Sequence, residues 1–222
     1  IVGPSGCGKS TLLQMATGLD APSSGAVRYR GDDVSGARSE IGYITQKANL
    51  FPWMTLAKNV ELPLIVRDVT QEKRRELVAR YLELAGLTGF ENHYPHQLSG
   101  GMQKRASIVR TLIYSPPVVL LDEPFGSLDA QTRMQMHGDL LRLWEQQEQT
   151  VVFVTHDLQE AVTLADHIVL LSRQPTVVKA EVPIGLDRPR DVFEPYSMPG
   201  FVETYDRVWN LFRSEVISDD RG

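Results

Sequence analysis

Two glycines bracket four residues near the start of the chain, and Lys-Ser follows the second: Gly3-Pro4-Ser5-Gly6-Cys7-Gly8-Lys9-Ser10-Thr11. That spacing is the phosphate-binding P-loop pattern. Residues without a Cβ let the backbone curl so that successive N–H groups turn inward toward phosphate oxygens. Lys9 then reaches the β- and γ-phosphates as a point charge, and the Ser10 hydroxyl can contact Mg²⁺. The following stretch, Ser10 to Ala16, reads as a helix closed by Gly18, and its N-terminus adds partial positive charge under the phosphates. Gly3, Ser5, Gly6, Cys7, Gly8, Lys9, Ser10 and Thr11 are therefore candidate nucleotide-binding residues.

A second cluster, Leu120-Leu121-Asp122-Glu123-Pro124, ends an apolar run in two carboxylates. Beside a P-loop, Asp122 supplies a contact to Mg²⁺, directly or at one remove. Glu123 comes next, where the strand opens, and a carboxylate there can orient and deprotonate an attacking water. A third cluster is Leu98-Ser99-Gly100-Gly101-Met102-Gln103. Ser99 is placed to cap a helix, and Gly100 and Gly101 permit close backbone approach to a phosphate.

These loops need an α/β scaffold. The chain has 222 residues, 42% hydrophobic and 23% charged, enough to bury a core as one nucleotide-binding unit with an insertion. A net charge of −5 disfavours a dedicated nucleic-acid binder. Cys7, the single cysteine, excludes an internal disulfide and points to a reducing cytoplasm. It sits inside the phosphate loop. Lys9 and the helix N-terminus favour its thiolate, and an accessible thiol there would take a maleimide. The alternative is a buried, inert thiol. No apolar run approaches the ~18 residues of a membrane helix, and no signal peptide is seen.

Along the chain, Ile1-Val2 reads as the end of a buried strand, with the N-terminal portion expected to be missing. Ala26 to Arg30 and Glu40 to Thr45 read as strands of an antiparallel edge around residues 26–45. Leu50 to Thr55 is apolar but proline-interrupted, hence loop. Leu56 to Val66, Thr70 to Gly86 and the stretch after Ser99 read as helices, the last stopped by Pro116-Pro117. Val118 to Leu121, Val151 to Val154 and His167 to Leu171 are apolar runs expected of buried strands. Helices are expected at Ala130–Gln147 and Asp157–Ala165, and a hairpin from Thr176 to Val182. A last amphipathic helix has Phe201, Tyr205, Val208, Trp209 and Phe212 on one face. The fold class is α/β: a P-loop NTPase core with a mostly parallel sheet, an antiparallel β edge and an inserted helical subdomain. The parts are residues 1–47 and 116–172 for the core, 48–115 for the helical subdomain with the Ser-Gly-Gly motif, and 173–222 for a C-terminal hairpin and amphipathic helix.

Taken together, the three clusters resemble the ATP-binding subunit of an ABC transporter, and the resemblance spans almost the whole chain. It implies that two such subunits face head to tail, with Ser99, Gly100 and Gly101 of one covering the γ-phosphate of ATP held by the P-loop of the other. It implies that Gln46, at a strand end, is the Q-loop glutamine, touching Mg²⁺ and relaying to the membrane subunit. Ser127-Leu128-Asp129 resembles the D-loop at the dimer interface; Asp129 also reads as a helix N-cap. His156, in Val154-Thr155-His156-Asp157, resembles the switch histidine that contacts the γ-phosphate. Implied cofactors are ATP and Mg²⁺. Two points stand out: Met102 takes the place of the usual signature glutamine, with Gln103 following, and the aromatic that stacks adenine in the family lies upstream of the P-loop, in the N-terminal portion expected to be missing, so it is not assigned.

Leu50-Phe51-Pro52-Trp53-Met54-Thr55, the signature Met102 and Arg188-Pro189-Arg190 before the last helix resemble the nitrate, sulfonate and taurine importer ATPases. The resemblance implies an integral membrane permease as partner and, indirectly, a periplasmic or extracellular solute-binding protein. It implies no nucleic acid, and a peripheral location on the cytoplasmic face of the bacterial inner membrane. The alternatives are a soluble ABC ATPase of DNA repair or translation, which usually carries long coiled coils or tandem cassettes, a small-molecule P-loop kinase, and a non-catalytic binding subunit.

Overall fold

Short, mostly apolar runs form the longer strands and amphipathic stretches the helices of this computed structural model, which describes residues 1–126, 128–145 and 149–216. In order they are α1 (Lys9–Thr17), β1 (Arg28–Tyr29), β2 (Asp32–Asp33), β3 (Ile41–Ile44), α2 (Leu56–Ile65), α3 (Gln71–Leu84), α4 (Gly100–Leu112), β4 (Val118–Asp122), α5 (Ala130–Glu145), β5 (Thr150–Val154), α6 (Leu158–Leu164), β6 (His167–Leu171), β7 (Val178–Pro183) and α7 (Phe201–Val216). Ser127 of the expected D-loop and Gln147 of the expected helix end lie outside the described residues. The chain divides into two units, residues 1–37 with the chain from Val152 onward, and Arg38–Val151.

In the first unit the pairing of Val2 organises the rest. Its N–H donates to the Val169 carbonyl at 2.8 Å, and its carbonyl accepts from the Leu171 N–H at 2.8 Å. On the other side the Thr155 N–H donates to the Ile1 carbonyl at 3.1 Å. Val2 thus lies parallel to Thr155 and to Leu170, fully buried. β6 and β7 pair antiparallel from His167↔Pro183 to Leu171↔Val178, the expected hairpin. The apolar face of α7 closes the core: Phe201, Val208 and Phe212 are buried with Val2, Val162, Ile168 and Leu170, and Tyr205 and Trp209 pack against them. Each such large side chain contributes about 1.5–3 kcal/mol when fully buried. The Arg188-Pro189-Arg190 stretch clamps the end of α6. Arg190 donates to the carbonyls of Thr163, Ala165 and Leu186, Arg188 donates to the Leu164 carbonyl, and both meet Asp166. Cations at a helix C-terminus satisfy its orphan carbonyls.

In the second unit β3 and β4 run parallel, in register from Ile41↔Val118 to Ile44↔Leu121. This corrects the expected antiparallel edge over residues 26–45. Among the described residues of the 26–45 stretch, the antiparallel pairing is that of β1 with β2 in the first unit, Arg28↔Asp33 and Tyr29↔Asp32. β3 instead belongs to the parallel sheet because its apolar residues pair with the buried run of β4. Helix α2 packs on α3 and α4, and Leu56, Val60 and Leu64 on α2, Leu82 on α3, and Ile108 and Leu112 on α4 are all buried. Gly42 on β3 has no room for a side chain: a Cβ there would lie 2.7 Å from Thr111 Cγ2 and 2.9 Å from Pro116 Cγ. Overpacking of this kind costs about 1–3 kcal/mol. Gly42→Ala is therefore expected to destabilise the protein by about that amount. A urea midpoint equal to that of the parent chain would contradict the packing described.

Candidate active site

The P-loop leaves the Val2 strand and turns on glycines at the positions where only glycine is comfortable. Gly6 has φ 79° and Gly8 has φ 94°, both left-handed, and nothing lies within 4 Å of where their Cβ atoms would be. Gly8 is the N-cap of α1, and Gly18 closes that helix in the left-handed conformation. Lys9 is buried and its Nζ donates to the carbonyls of Gly3 and Pro4, both at 2.9 Å. The ammonium is thereby drawn back over its own loop. Gly3 serves a different purpose: a Cβ there would come 2.7 Å from Cys7 Sγ and 3.1 Å from Leu171 Cβ. Cys7 is 5% exposed, so of the two readings of its thiol the buried one holds.

The parallel pairing of Val2 with Thr155 means that Gly3 and His156 leave neighbouring strands side by side. Ligands of open α/β sheets gather at such carboxyl ends. His156 is exposed, and the residues around it are tied together. The Thr155 hydroxyl donates to Glu160 Oε2 and accepts from the Asp157 N–H, while Asp157 Oδ1 accepts from the Glu160 N–H. Sequence reasoning missed Glu160, a buried carboxylate on a helix of only seven residues that shows no clear apolar period.

In the second unit the register does the corresponding work. Ile44 opposes Leu121, so two residues further on each strand come Gln46 and Glu123. Asp122, between them in sequence and buried, accepts from the Tyr43 hydroxyl at 3.3 Å. Burial, and then the Asp122 charge, push the Tyr43 phenol up to about 12. Glu123 has φ 41°, a left-handed value that a non-glycine residue holds at a cost of order 1–3 kcal/mol and that clusters at functional sites. Its Oε2 lies 3.7 Å from where a Gly126 Cβ would stand. A buried carboxylate with an amide-bearing loop beside it offers the oxygen donors that Mg²⁺ prefers, since this ion takes one or two carboxylates and completes its shell with phosphates and water. Ser10, the third expected metal contact, stands on α1 in the other unit.

Lys104 was not foreseen. It is 2% exposed on α4, and its Nζ donates to the carbonyls of Thr45 at 2.6 Å and Gln46 at 3.0 Å. Desolvation lowers this ammonium to about 8, against the opposing pull of Asp122. A lysine among helix-surface residues carries no sequence signal of burial. At the start of α4, Ser99 Oγ accepts from the Met102 N–H as expected of a cap. Gln103 turns back instead, donating to the carbonyls of Pro95 and Leu98. A Cβ at Gly101 would stand 3.2 Å from Thr132 Cγ2, and Asp129 Oδ1 accepts from the Thr132 N–H, so these two expected residues meet the same threonine. Hydrogen bonds from Thr132 hold the Asp129 carboxyl below its ordinary value. The Phe51 to Thr55 loop is gathered by Asn59, fully buried, whose amide donates to the carbonyls of Phe51, Met54 and Thr55 and accepts from the Phe51 N–H. Trp53 at the tip of that loop is 69% exposed.

The model of the ABC transporter family matches residues 1–126. The chain belongs to the ABC transporter ATP-binding family. It is 43% identical over 217 residues to an uncharacterized ABC transporter ATP-binding protein of Methanocaldococcus jannaschii, covering 98% of this chain and 80% of that protein. It is 39% identical over 217 residues to a nitrate import ATP-binding protein of Synechocystis, covering 96% and 82%. To an aliphatic sulfonates import ATP-binding protein of Bacillus thuringiensis it is 41% identical, covering 86% and 75%. Among solved structures it matches an ATP-binding cassette determined as a dimer in a post-hydrolysis state with ADP and phosphate, at TM-score 0.73 and 36% identity over 82% of this chain and 83% of that one. The ABC cassette fold accounts for the mixed α/β architecture, and the family hydrolyses ATP. Among the described residues no helix of this cassette is long and apolar enough to cross a membrane.

The thiol geometry gives a direct test. Ellman's reagent should label Cys7 only after denaturant is added. Gly3→Ala should cost about 1–3 kcal/mol, and Cys7→Ala in the same chain should recover much of it, because Sγ is the nearest obstacle. Labelling of the native protein, or no recovery in the double variant, would contradict the placement of Sγ under Gly3.

Proposed function

We propose that this ABC ATPase powers an importer for a small anion of the nitrate, sulfonate or taurine class. The observation that supports the hydrolytic roles best is the β3–β4 register, whose last pair, Ile44 opposite Leu121, comes two residues before Gln46 and Glu123 and next to the buried Asp122. Two importer relatives, matched at 39% and 41% identity over most of the chain, support the transport class.

In this reading the amides from Gly6 to Thr11 and the Lys9 ammonium take the phosphates of ATP. Gly3 and Ser5 shape that loop. Ser10, Gln46 and Asp122 would hold Mg²⁺, which when bound neutralises charge on the β- and γ-phosphates. Glu123, held at a left-handed φ of 41°, orients the attacking water and accepts its proton. His156, steadied by the Thr155–Asp157–Glu160 knot, meets the γ-phosphate. Ser99, Gly100 and Gly101, with Asp129, complete the site of a second cassette in a head-to-tail dimer. Residues 48–115 act as the helical subdomain that faces an integral membrane permease, with Phe51 to Met54 as contact surface and Asn59 as its anchor. A solute-binding protein outside the membrane selects the solute, and the cassette works at the cytoplasmic face.

Glu123→Gln is expected to remove hydrolysis while leaving ATP binding intact, since a general base contributes about 10²–10⁴-fold. ATP should then hold the dimer closed in size-exclusion chromatography. Near-normal turnover in this variant would sink the role assigned to Glu123, and the absence of a co-purifying membrane subunit would count against the importer.

A further inference from the structure

The turn between β6 and β7 touches the P-loop. Because Val2 pairs in parallel with Leu170, the chain leaving β6 emerges beside the chain leaving Val2. The turn that follows is closed on itself. The Ser172 N–H donates to the Val177 carbonyl at 3.0 Å, and Ser172 Oγ accepts from the Val177 N–H at 3.0 Å. From this turn Gln174 Nε2 donates to the Gly6 carbonyl at 2.8 Å, and Thr176 Oγ1 donates to the Cys7 carbonyl at 2.8 Å. These are consecutive carbonyls at the tightest point of the P-loop.

We infer that Gln174 and Thr176 are positioning residues for ATP binding: they fix the peptide planes at Gly6 and Cys7 and so hold the phosphate cradle in its binding shape. In a planar trans peptide the C=O and N–H point in opposite directions, so holding a carbonyl outward sets the direction of the next N–H. The two planes carry the N–H groups of Cys7 and Gly8. The Cys7 N–H has a bond of its own within the loop, to the Pro4 carbonyl at 3.3 Å, but Gly6 and Gly8 flank the two planes at φ 79° and 94° with nothing within 4 Å of either Cβ position, so the two carbonyl contacts add restraint from outside the loop. Glycine restricts the backbone least, so an unbraced loop would lose more freedom on binding phosphate.

The brace is itself anchored at the last turn of α7. Glu215 Oε2 accepts from the Arg173 N–H at 2.9 Å, the Glu215 carbonyl accepts from Arg173 Nε at 2.7 Å, and Glu215 Oε1 accepts from Lys179 Nζ at 2.7 Å. Arg173 and Lys179 stand on either side of the turn, so one carboxylate closes it from both flanks. The C-terminal helix thereby reaches the P-loop backbone through Glu215, Arg173, Lys179, Gln174 and Thr176. This inference rests on the P-loop being the ATP site, and it concerns affinity, not the water-activating step.

The test uses the whole chain and measures MgATP affinity by calorimetry in a Glu123→Gln background, with KM and kcat taken in the parent background. A hydrogen bond of this kind is worth roughly twofold to tenfold in an equilibrium constant, so Gln174→Ala with Thr176→Val should weaken MgATP binding about tenfold or more. The same variant should raise KM while kcat at saturating ATP stays near the parent value, and amide exchange at residues 6–9 should quicken. Thr176→Ser keeps the donor and should restore the affinity lost in Thr176→Val. Glu215→Gln should weaken binding in the same direction by less. Affinity unchanged in the double variant would overturn the brace, as would a Thr176→Ser affinity as poor as that of Thr176→Val. The underlying reading fails separately: a parent chain that binds no MgATP, or a Lys9→Ala variant that binds as well as the parent, sinks the P-loop site and the brace with it.

Discussion

Parallel pairing of a few buried backbone groups is the constraint on which everything functional here depends. Val2 uses its N–H and carbonyl on β6, while the Ile1 carbonyl serves Thr155, so the P-loop, His156 and the β6–β7 turn all begin at neighbouring strand ends. Ile44 opposite Leu121 does the same for Gln46 and the Asp122-Glu123 pair. Side chains alternate along a strand, so a slip of one residue would send each of these groups to the opposite face. Burial of Val2, Ile44, Leu120 and Leu121 penalises such a slip because it would place their side chains outside the core.

Pairing fixes where the loops begin, and buried polar side chains fix where they go. Lys104 holds the carbonyls of Thr45 and Gln46, Asn59 gathers the Phe51 to Thr55 loop, Gln103 ties Pro95 and Leu98, and Lys9 holds Gly3 and Pro4. A loop cannot satisfy its own carbonyls within a ladder, and an unmet buried acceptor costs about 1–3 kcal/mol, so each loop borrows donors from a neighbouring element. The lowered value of Lys104, about 8, reflects the desolvation that such a donor accepts.

Local signals carried much of the architecture. Apolar runs marked β4, β5 and β6, and the period of Phe201, Val208 and Phe212 marked the buried face of α7. Ser99 and Asp129 read as caps and are caps, because capping involves residues only three apart. The placement of β3 is not local: Ile41 to Ile44 follows a short antiparallel pair in sequence, and its parallel partner is the distant β4.

The amino-acid sequence by itself determined the motifs of an ABC cassette, since glycine spacing, a lysine and paired carboxylates are local requirements of phosphate chemistry. Tertiary structure alone decided what each motif rests on: that Gly3 makes room for Cys7 Sγ, that Glu160 steadies the flanks of His156, that Lys104 reaches the Gln46 carbonyl, and that Gln174 and Thr176 reach the P-loop. Thr176 lies 169 residues from Cys7, and Lys104 lies 58 from Gln46. Contacts over such separations arise from strand order and register, which no local run of residues encodes.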